Sequence, residues 1–219
     1  MWCLQSGLTR PQSMSPARIG IYDSQFEHLS TRNITTKKLF QSYRYFEHVD
    51  EELRRDFTFK PNITETARRW LNDQTSDEWK DDEFARVVIH VRRTDRADPN
   101  SVRDGWPLPT NEYFRRSMSH FTDCLERVQF VVLSDDPAWC REHINATNMV
   151  YSSGHSPIVD LAIASLCDHA IITIGTYSWW VAWFANGVTV TQKNIPTNGS
   201  NLSRRLSRSD YYKPDWIGL

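Results

Sequence analysis

No stretch of this 219-residue chain approaches the roughly 18 consecutive apolar residues that a membrane-spanning helix needs. A spanning helix is therefore not expected. The opening residues, Met1-Trp-Cys-Leu-Gln-Ser-Gly7, lack a basic n-region and a sustained apolar h-region, so they do not read as a signal peptide. Neither G-x-G-x-x-G nor a Walker A sequence occurs, which removes the dinucleotide-binding and P-loop readings. There is no D-x-D, so no metal-held diphosphate is signalled. The four cysteines, Cys3, Cys124, Cys140 and Cys167, never fall at a C-x-x-C spacing, and structural zinc is rejected. Cys124, Cys140 and Cys167 each sit among apolar residues in expected helices and read as buried free thiols, with a disulfide the alternative that the spacing does not decide. The formal net charge of -1 gives no general attraction to nucleic acid or to an anionic membrane.

At 39% hydrophobic and 12% aromatic residues the chain can bury a substantial core. Its length suits one large domain, or one domain with part of another. N-x-[S/T] occurs at Asn33, Asn62, Asn145, Asn198 and Asn201, denser than chance gives. This favours a secretory lumen, with those asparagines as glycosylation candidates.

The stretch Val87-Val-Ile-His-Val-Arg-Arg-Thr-Asp95 organises the rest. It starts as a β-branched strand and ends in charge, so it emerges at a polar site. If the strand runs through Arg93, His90 and Arg92 share a face with Val88, and Arg93 points the other way. Arginine at the carboxyl end of a parallel strand suits a diphosphate. The alternative is a strand end whose arginines pair with Asp95 and Asp98.

Before this strand, residues 1–35 read as a poorly ordered segment and 36–86 as helical. Leu39, Tyr43, Phe46 and Val49 recur at helical steps, with Thr35 or Thr36 as cap. Glu51–Phe57 extends that helix or forms a second, which Pro61 ends. A further helix is expected from about Ile63 to Asn72. Asp77–Glu83 reads as a solvated acidic loop. After the strand, Arg96–Pro109 is a long loop, and Thr110 caps a helix carrying Phe114, Met118, Phe121 and Leu125. Val128–Leu133 is a buried strand. Asp136 and Pro137 open the next helix. Asn148–Tyr151 is a short strand, Ser156-Pro157 opens another helix, and Ala170–Ile174 is a strand again. Gly175-Thr176 leads into an aromatic helix to Ala185, and Val188–Thr191 is a fifth strand. Residues 87–219 are thus an α/β, doubly wound, Rossmann-like domain.

In such a domain the loops after the strands carry the chemistry. The first offers His90, Arg92, Arg93 and Asp95. The second offers Ser134, Asp135 and Asp136. Another offers Gly175, Thr176 and Ser178 at a helix N-terminus, where free N–H groups attract an anion. Asp135 can accept hydrogen bonds from a base or ribose, or simply pair with a basic side chain. Asp136 reads as a helix cap. Asp160 lies in a first helical turn, where an acid is favoured by the dipole alone. Trp179, Trp180, Trp183 and Phe184 read as a packing face, and His155 as exposed.

Three blocks in order resemble the galactoside α-1,2-fucosyltransferase family. They are Val88-Ile-His-Val-Arg-Arg-Thr-Asp95, Val132-Leu-Ser-Asp-Asp-Pro-Ala-Trp-Cys140, and the segment from Asp160 through Thr176 to Trp180. The ending Tyr212-Lys-Pro-Asp-Trp-Ile-Gly-Leu219 is also similar. The likeness covers roughly 36–219. The first block is shared with core α-1,6-fucosyltransferases and other fucosyl transferases. The resemblance implies the donor domain of a B-type glycosyltransferase, preceded by a mostly helical remnant of the first domain. It implies inverting, metal-independent transfer of fucose from GDP-β-L-fucose to the 2-hydroxyl of a terminal galactose on a glycan. It implies no cofactor and a Golgi lumenal, type II membrane setting. Carried over, Arg92 holds the diphosphate, His90 lies beside the nucleotide and Asp95 braces the arginines as the second catalytic residue. Arg93, Asp135, Asp160, Gly175 and Thr176 complete the donor site. Asp95, Asp98, Asp104 and Glu112 are candidates for the general base. Family members begin with a tail, an anchor and a Gly-rich first half with a G-x-x-G-N-Q-like motif; none is found here. The chain is therefore expected to be N-terminally incomplete, with an inactive nucleotide-sugar-binding domain, or transfer to another acceptor, as the alternative.

Overall fold

The computed structural model describes residues 12–14, 16, 18–27, 34–36, 39–79 and 83–219. Asn33 and Cys3 lie outside the described residues. Two short parallel strands, β1 (Gln12–Met14) and β2 (Ile34–Thr36), come first. Two helices follow, α1 (Asp50–Asp56) and α2 (Pro61–Gln74). The rest alternates: β3 (Ala85–Val91), α3 (Pro99–Asp104), α4 (Asn111–Thr122), β4 (Val128–Ser134), α5 (Pro137–His143), β5 (Met149–Tyr151), α6 (Pro157–Ala164), β6 (His169–Ile172), α7 (Thr176–Ala185), β7 (Thr189–Thr191), α8 (Arg208–Tyr211) and β8 (Ile217–Gly218).

The main sheet is parallel throughout, in the order β5-β4-β3-β6-β7-β8. From β3 the chain runs outward through β4 to β5, then returns to the other side of β3 and runs outward through β6 and β7. That is the doubly wound order, with its switch point between β3 and β6. The sheet is covered on both faces, which explains the nearly continuous apolar runs of β3 and β4. Side-chain alternation divides β3 cleanly. Val87, Ile89 and Val91 enter one core with Phe114, Phe121, Phe130 and Cys140. Val88 enters the other with Ala162, Ile163, Val181 and Trp183. The predicted α/β domain is the observed one.

Several local expectations are corrected. The stretch 36–49 is not one helix: Thr35 and Thr36 are in β2, and only the short 3-10 turns Tyr43–Tyr45 and Glu47–Val49 form before α1. Its aromatic spacing serves packing instead. Phe40 and Tyr45 stack edge-on, Phe46 meets Trp179 and Trp180, and Leu39 stays exposed. Pro61 does not end a helix. It opens α2 at a position where a missing N–H costs nothing. α2 packs on α6 and buries Ala67 and Leu71 in the same core as Val88. The loop 96–109 contains α3, capped by Asp98 and closed by Gly105 in the left-handed region (φ 106°). A short 3-10 turn, Asp77–Trp79, lies in the acidic stretch. The sixth strand, β8, has only two residues and no periodicity to announce it. Cys140 and Cys167 are buried free thiols, but Cys124 is exposed, because α4 ends at Thr122. Trp179 and Trp183 are buried as expected, while Trp180 and Phe184 are partly buried.

Candidate donor site

The carboxyl ends of β3, β4 and β6 meet around a cavity of about 320 Å³. It is lined by His90, Arg92, Ser134, Asp135, His155, Pro157, Asp160 and Tyr177. This is the switch point, where the loops diverge and leave a crevice. β3 stops at Val91, so the strand does not carry Arg92 and Arg93. His90 is the last side chain of its face and is buried at 7% exposure. Its Nδ1 lies 2.7 Å from Ser178 Oγ, and its ring faces Tyr177. Burial penalises the imidazolium and lowers the His90 pKa to about 4. His90 is therefore neutral at physiological pH and supplies shape and a hydrogen bond, not charge.

Arg92 is held from three sides. Its backbone N–H donates to Thr173 Oγ1 at 2.9 Å, which ties the loop to β6. Its Nε and Nη2 donate to the two Asp95 oxygens at 2.9 and 2.7 Å. Beyond it stands Gly175. A Cβ on Gly175 would lie 3.1 Å from both Cδ and Nη1 of Arg92. Gly175 also has φ +148°, which L side chains rarely adopt. The glycine thus lets the first turn of α7 approach the guanidinium directly. Gly175 makes no side-chain cap, and α7 begins at Thr176. The early N–H groups of a helix have no intrahelical acceptor. Fixed positive charge and those N–H groups therefore converge beside the cavity.

Arg93 and Asp135 act as a clamp on the same loop. Asp135 accepts from the backbone N–H of Arg93 at 2.8 Å and of Thr94 at 3.2 Å. Arg93 itself turns away, over the Trp139 ring at 4.5 Å and towards Asp136 at 3.5 Å. Asp136 also accepts from Trp139 N as the α5 cap, as expected. Removing the Asp135 carboxylate frees two loop N–H groups. The expected result for Asp135→Ala is roughly tenfold weaker nucleotide binding, with a loss of order 1 kcal/mol in stability. Nucleotide titration and urea unfolding measure the two.

On the far wall, Asp160 accepts from Ser152 Oγ at 2.7 Å, and His155 Nδ1 lies 3.0 Å from the same hydroxyl. Burial raises the Asp160 pKa. His155 is thus not simply exposed: it packs edge-on to Trp70 and lines the cavity. Ser152 and His155 follow the three-residue β5, which ends at Tyr151 as the sequence places it. Thr176 lines a second, smaller cavity and accepts from Gln41 Nε2. Among the four base candidates, Asp95 is committed to Arg92, and its pKa is lowered chiefly by that hydrogen-bonded pair. Asp98 caps α3, Asp104 pairs with Arg205, and Glu112 pairs with Arg115 at 2.7 Å. None of the four lines the main cavity.

The profile of glycosyl transferase family 11 matches residues 20–219. The chain belongs to that family. Its relatives include Galactoside alpha-(1,2)-fucosyltransferase 1 of Ateles belzebuth, 31% identical over 183 residues, covering 81% of this chain and 50% of the relative. They also include Galactoside 2-alpha-L-fucosyltransferase SEC1 of Bos taurus, 27% identical over 202 residues, covering 90% of this chain and 54% of the relative. The chain thus spans about half the length of the curated relatives it matches. Among solved structures, the beta Kdo 2,4 transferase of Thermosulfurimonas dismutans KpsC aligns with a TM-score of 0.38 at 12% identity, over 74% of this chain and 57% of that one. That likeness is too distant to carry an assignment. The family match begins at residue 20, sixteen residues before the likeness visible in the motif blocks. Gly20 explains part of this reach: it pairs with Leu206 and exchanges backbone hydrogen bonds with Arg205 and Ser207, so the segment belongs to the folded body.

In this family 11 chain the switch-point cavity gathers His90, Arg92, Asp135 and Asp160 from blocks far apart in sequence. Gly175 adjoins it through Arg92. The motif blocks did not contain Gln41, Ser152, His155 or Tyr211. Gln41 and Tyr211 reach Thr176 from the aromatic segment and from α8. No local signal marks them, because their role comes from tertiary contact.

Proposed function

We propose that this domain binds GDP-β-L-fucose and takes part in inverting, metal-independent transfer of fucose to the 2-hydroxyl of a terminal galactose. One observation carries the reading: Arg92, braced by Asp95, stands against Gly175 and the start of α7 at the mouth of a nucleotide-sized cavity. In this reading the diphosphate lies between the guanidinium and the free N–H groups of α7. Those groups stabilise the charge that grows on GDP as the sugar–phosphate bond breaks. The galactose oxygen forms the new bond to the anomeric carbon, GDP leaves with the bonding pair, and the hydroxyl proton departs to a base. Asp95 acts by positioning Arg92. His90 and Tyr177 shape the nucleoside side, and Asp160 offers carboxylate oxygens to N–H groups of the base. The names of the Ateles and Bos relatives support the fucosyl group and the galactoside acceptor.

The test is incubation of the purified chain with GDP-β-L-fucose and a β-galactoside, with and without EDTA, followed by linkage analysis of the product. An α-1,2-linked fucose formed equally in both conditions supports the reading. Donor binding without product leaves a nucleotide-sugar-binding module. No donor binding refutes it.

The proposed setting is a secretory lumen. Asn62, Asn145, Asn198 and Asn201 are all exposed, so each is open to a glycan. Among the described residues no helix is long and apolar enough to cross a membrane. Expression in a eukaryotic secretory host should give a chain whose mass falls on amide-cleaving deglycosylation. An unchanged mass would contradict the lumenal assignment.

A further inference from the structure

α3 and the turn behind it build a seat for one more cation beside Arg92. Gly105 closes α3, and the next residue, Trp106, is fixed at both ends. Its backbone N–H donates to Ser101 O at 3.1 Å, and its Nε1 donates to Asp104 Oδ2 at 3.1 Å. The Arg96 guanidinium lies over that ring, 3.7 Å from its centroid. Arg96 Nε stands 3.8 Å from Asp95 Oδ2, the oxygen that accepts from Arg92 Nη2. The Arg96 side chain is only 14% exposed. Among the described residues its guanidinium nevertheless makes no hydrogen bond, and its Nε is buried without a partner. Arg92 and Arg96 both act on the Tyr211 hydroxyl, which is hydrogen-bonded to Thr176. Arg96 thus flanks the same start of α7 as Arg92.

A desolvated guanidinium with unmet donors is costly, and in a native protein it calls for a partner. The neighbouring carboxylates are already engaged. Asp95 is held by two Arg92 nitrogens and Asp104 by Arg205. Three guanidinium groups, Arg92, Arg96 and Arg205, therefore face two carboxylates, Asp95 and Asp104, and one positive charge is in excess. Burial pulls the Arg96 pKa down and repulsion from Arg92 adds to it, but an arginine stays charged. Arg92 paired with Asp95 is formally neutral, so the net charge that draws an anion comes with Arg96. Arg92 lines the switch-point cavity and Arg96 does not. We infer that Arg96 is the second arginine of the diphosphate site and takes the phosphate farther from the nucleoside. This rests on the donor reading above and adds to it the group that meets the leaving end of the diphosphate. The charge released as the sugar departs is borne by that outer phosphate, where a fixed cation stabilises it.

GDP carries the outer phosphate and GMP lacks it, so the pair isolates Arg96. The test measures dissociation constants of GDP and GMP for the wild-type chain, for Arg96→Gln, for Arg96→Lys and for Trp106→Leu. A charge-assisted contact to phosphate is worth about one to two decades of affinity. The expected wild-type preference for GDP over GMP is therefore at least about tenfold. Arg96→Gln removes the charge and should weaken GDP about tenfold with the GMP constant unchanged. The unchanged GMP constant shows that the variant is folded and that the loss lies at the outer phosphate. Arg96→Lys keeps a point charge and should restore part of the preference. Trp106→Leu removes the ring under the guanidinium, should narrow the preference about threefold, and serves if Arg96→Gln does not fold. A preference that the folded variant retains in full overturns the inference, as do equal wild-type affinities for GDP and GMP. Equal losses of GDP and GMP affinity also overturn it, because Arg96 would then only brace the loop. Failure of the wild-type chain to bind either nucleotide is a different result and removes the donor reading itself.

Discussion

Replacing Arg92 by alanine should abolish GDP binding while leaving the fold intact. The side chain emerges after β3 has ended, so its loss opens no cavity in either core. What it removes is the guanidinium that packs against Gly175 at the start of α7. A charge-assisted, desolvated contact to a phosphate contributes about 1.5–3 kcal/mol, or one to two decades of affinity. Removal also leaves Asp95 with Arg96, 3.8 Å away, as its remaining counter-charge, so its carboxylate is less well neutralised beside the anion. The total expected loss is therefore at least a hundredfold. Arg92→Lys should recover only part of it, because a point charge cannot hold both Asp95 oxygens and still present a donor to phosphate. Near-native unfolding midpoints for both variants would separate the binding effect from a folding effect. Unchanged GDP affinity in Arg92→Ala would exclude this arginine from the site.

Gly175→Val should be almost as damaging, for a different reason. The residue holds φ +148°, and a Cβ there meets the Arg92 side chain at 3.1 Å. A β-branched side chain must therefore strain the backbone and push the arginine off Asp95. The expected result is a loss of nucleotide binding of tenfold or more together with roughly 1–3 kcal/mol of stability. Combining it with Arg92→Ala should give less than the sum of the two binding losses, because both act on one contact. Additive losses would mean that Gly175 acts independently of Arg92.

His90 makes a pH prediction. Its folded pKa is lowered to about 4 from the ordinary 6.5. The unfolded chain therefore binds more protons between those values, and stability rises with pH through that window. The contribution is fully present above about 6.5 and is lost as pH falls towards 4. His90→Phe should flatten the pH dependence of urea unfolding between 4.5 and 6.5 relative to wild type, on the order of a few kcal/mol across the window. Parallel curves for the two proteins would show that His90 is charged in the folded state.

Much of the domain was legible because its signals are local. The apolar runs at 87–91 and 128–133 mark doubly covered strands, and Thr110 and Asp136 cap helices with their own side chains. Arg92 was readable as a site residue because a strand that turns suddenly to charge has to surface. The segment 36–49 does not form the expected helix, because aromatic spacing does not distinguish a helix from short 3-10 turns packed on α7, whereas the second helix expected at Glu51–Phe57 is α1. Pro61 was misread because proline can end one helix or begin another, and only the chain beyond it decides. Asp135 looked like a ligand residue from its place after β4. Its oxygens turn out to fix the Arg93–Thr94 backbone, a partnership across two strand ends that sequence does not encode.

The central claim is that a nucleoside diphosphate sits between Arg92 and the start of α7. Amide chemical-shift mapping of the isotope-labelled chain during GDP titration tests it most directly. The largest changes should fall on the backbone amides of Gly175–Ser178 and Arg92–Asp95, and they should be absent in Arg92→Ala. Saturating shifts confined to other loops, with residues 175–178 unmoved, would contradict the account.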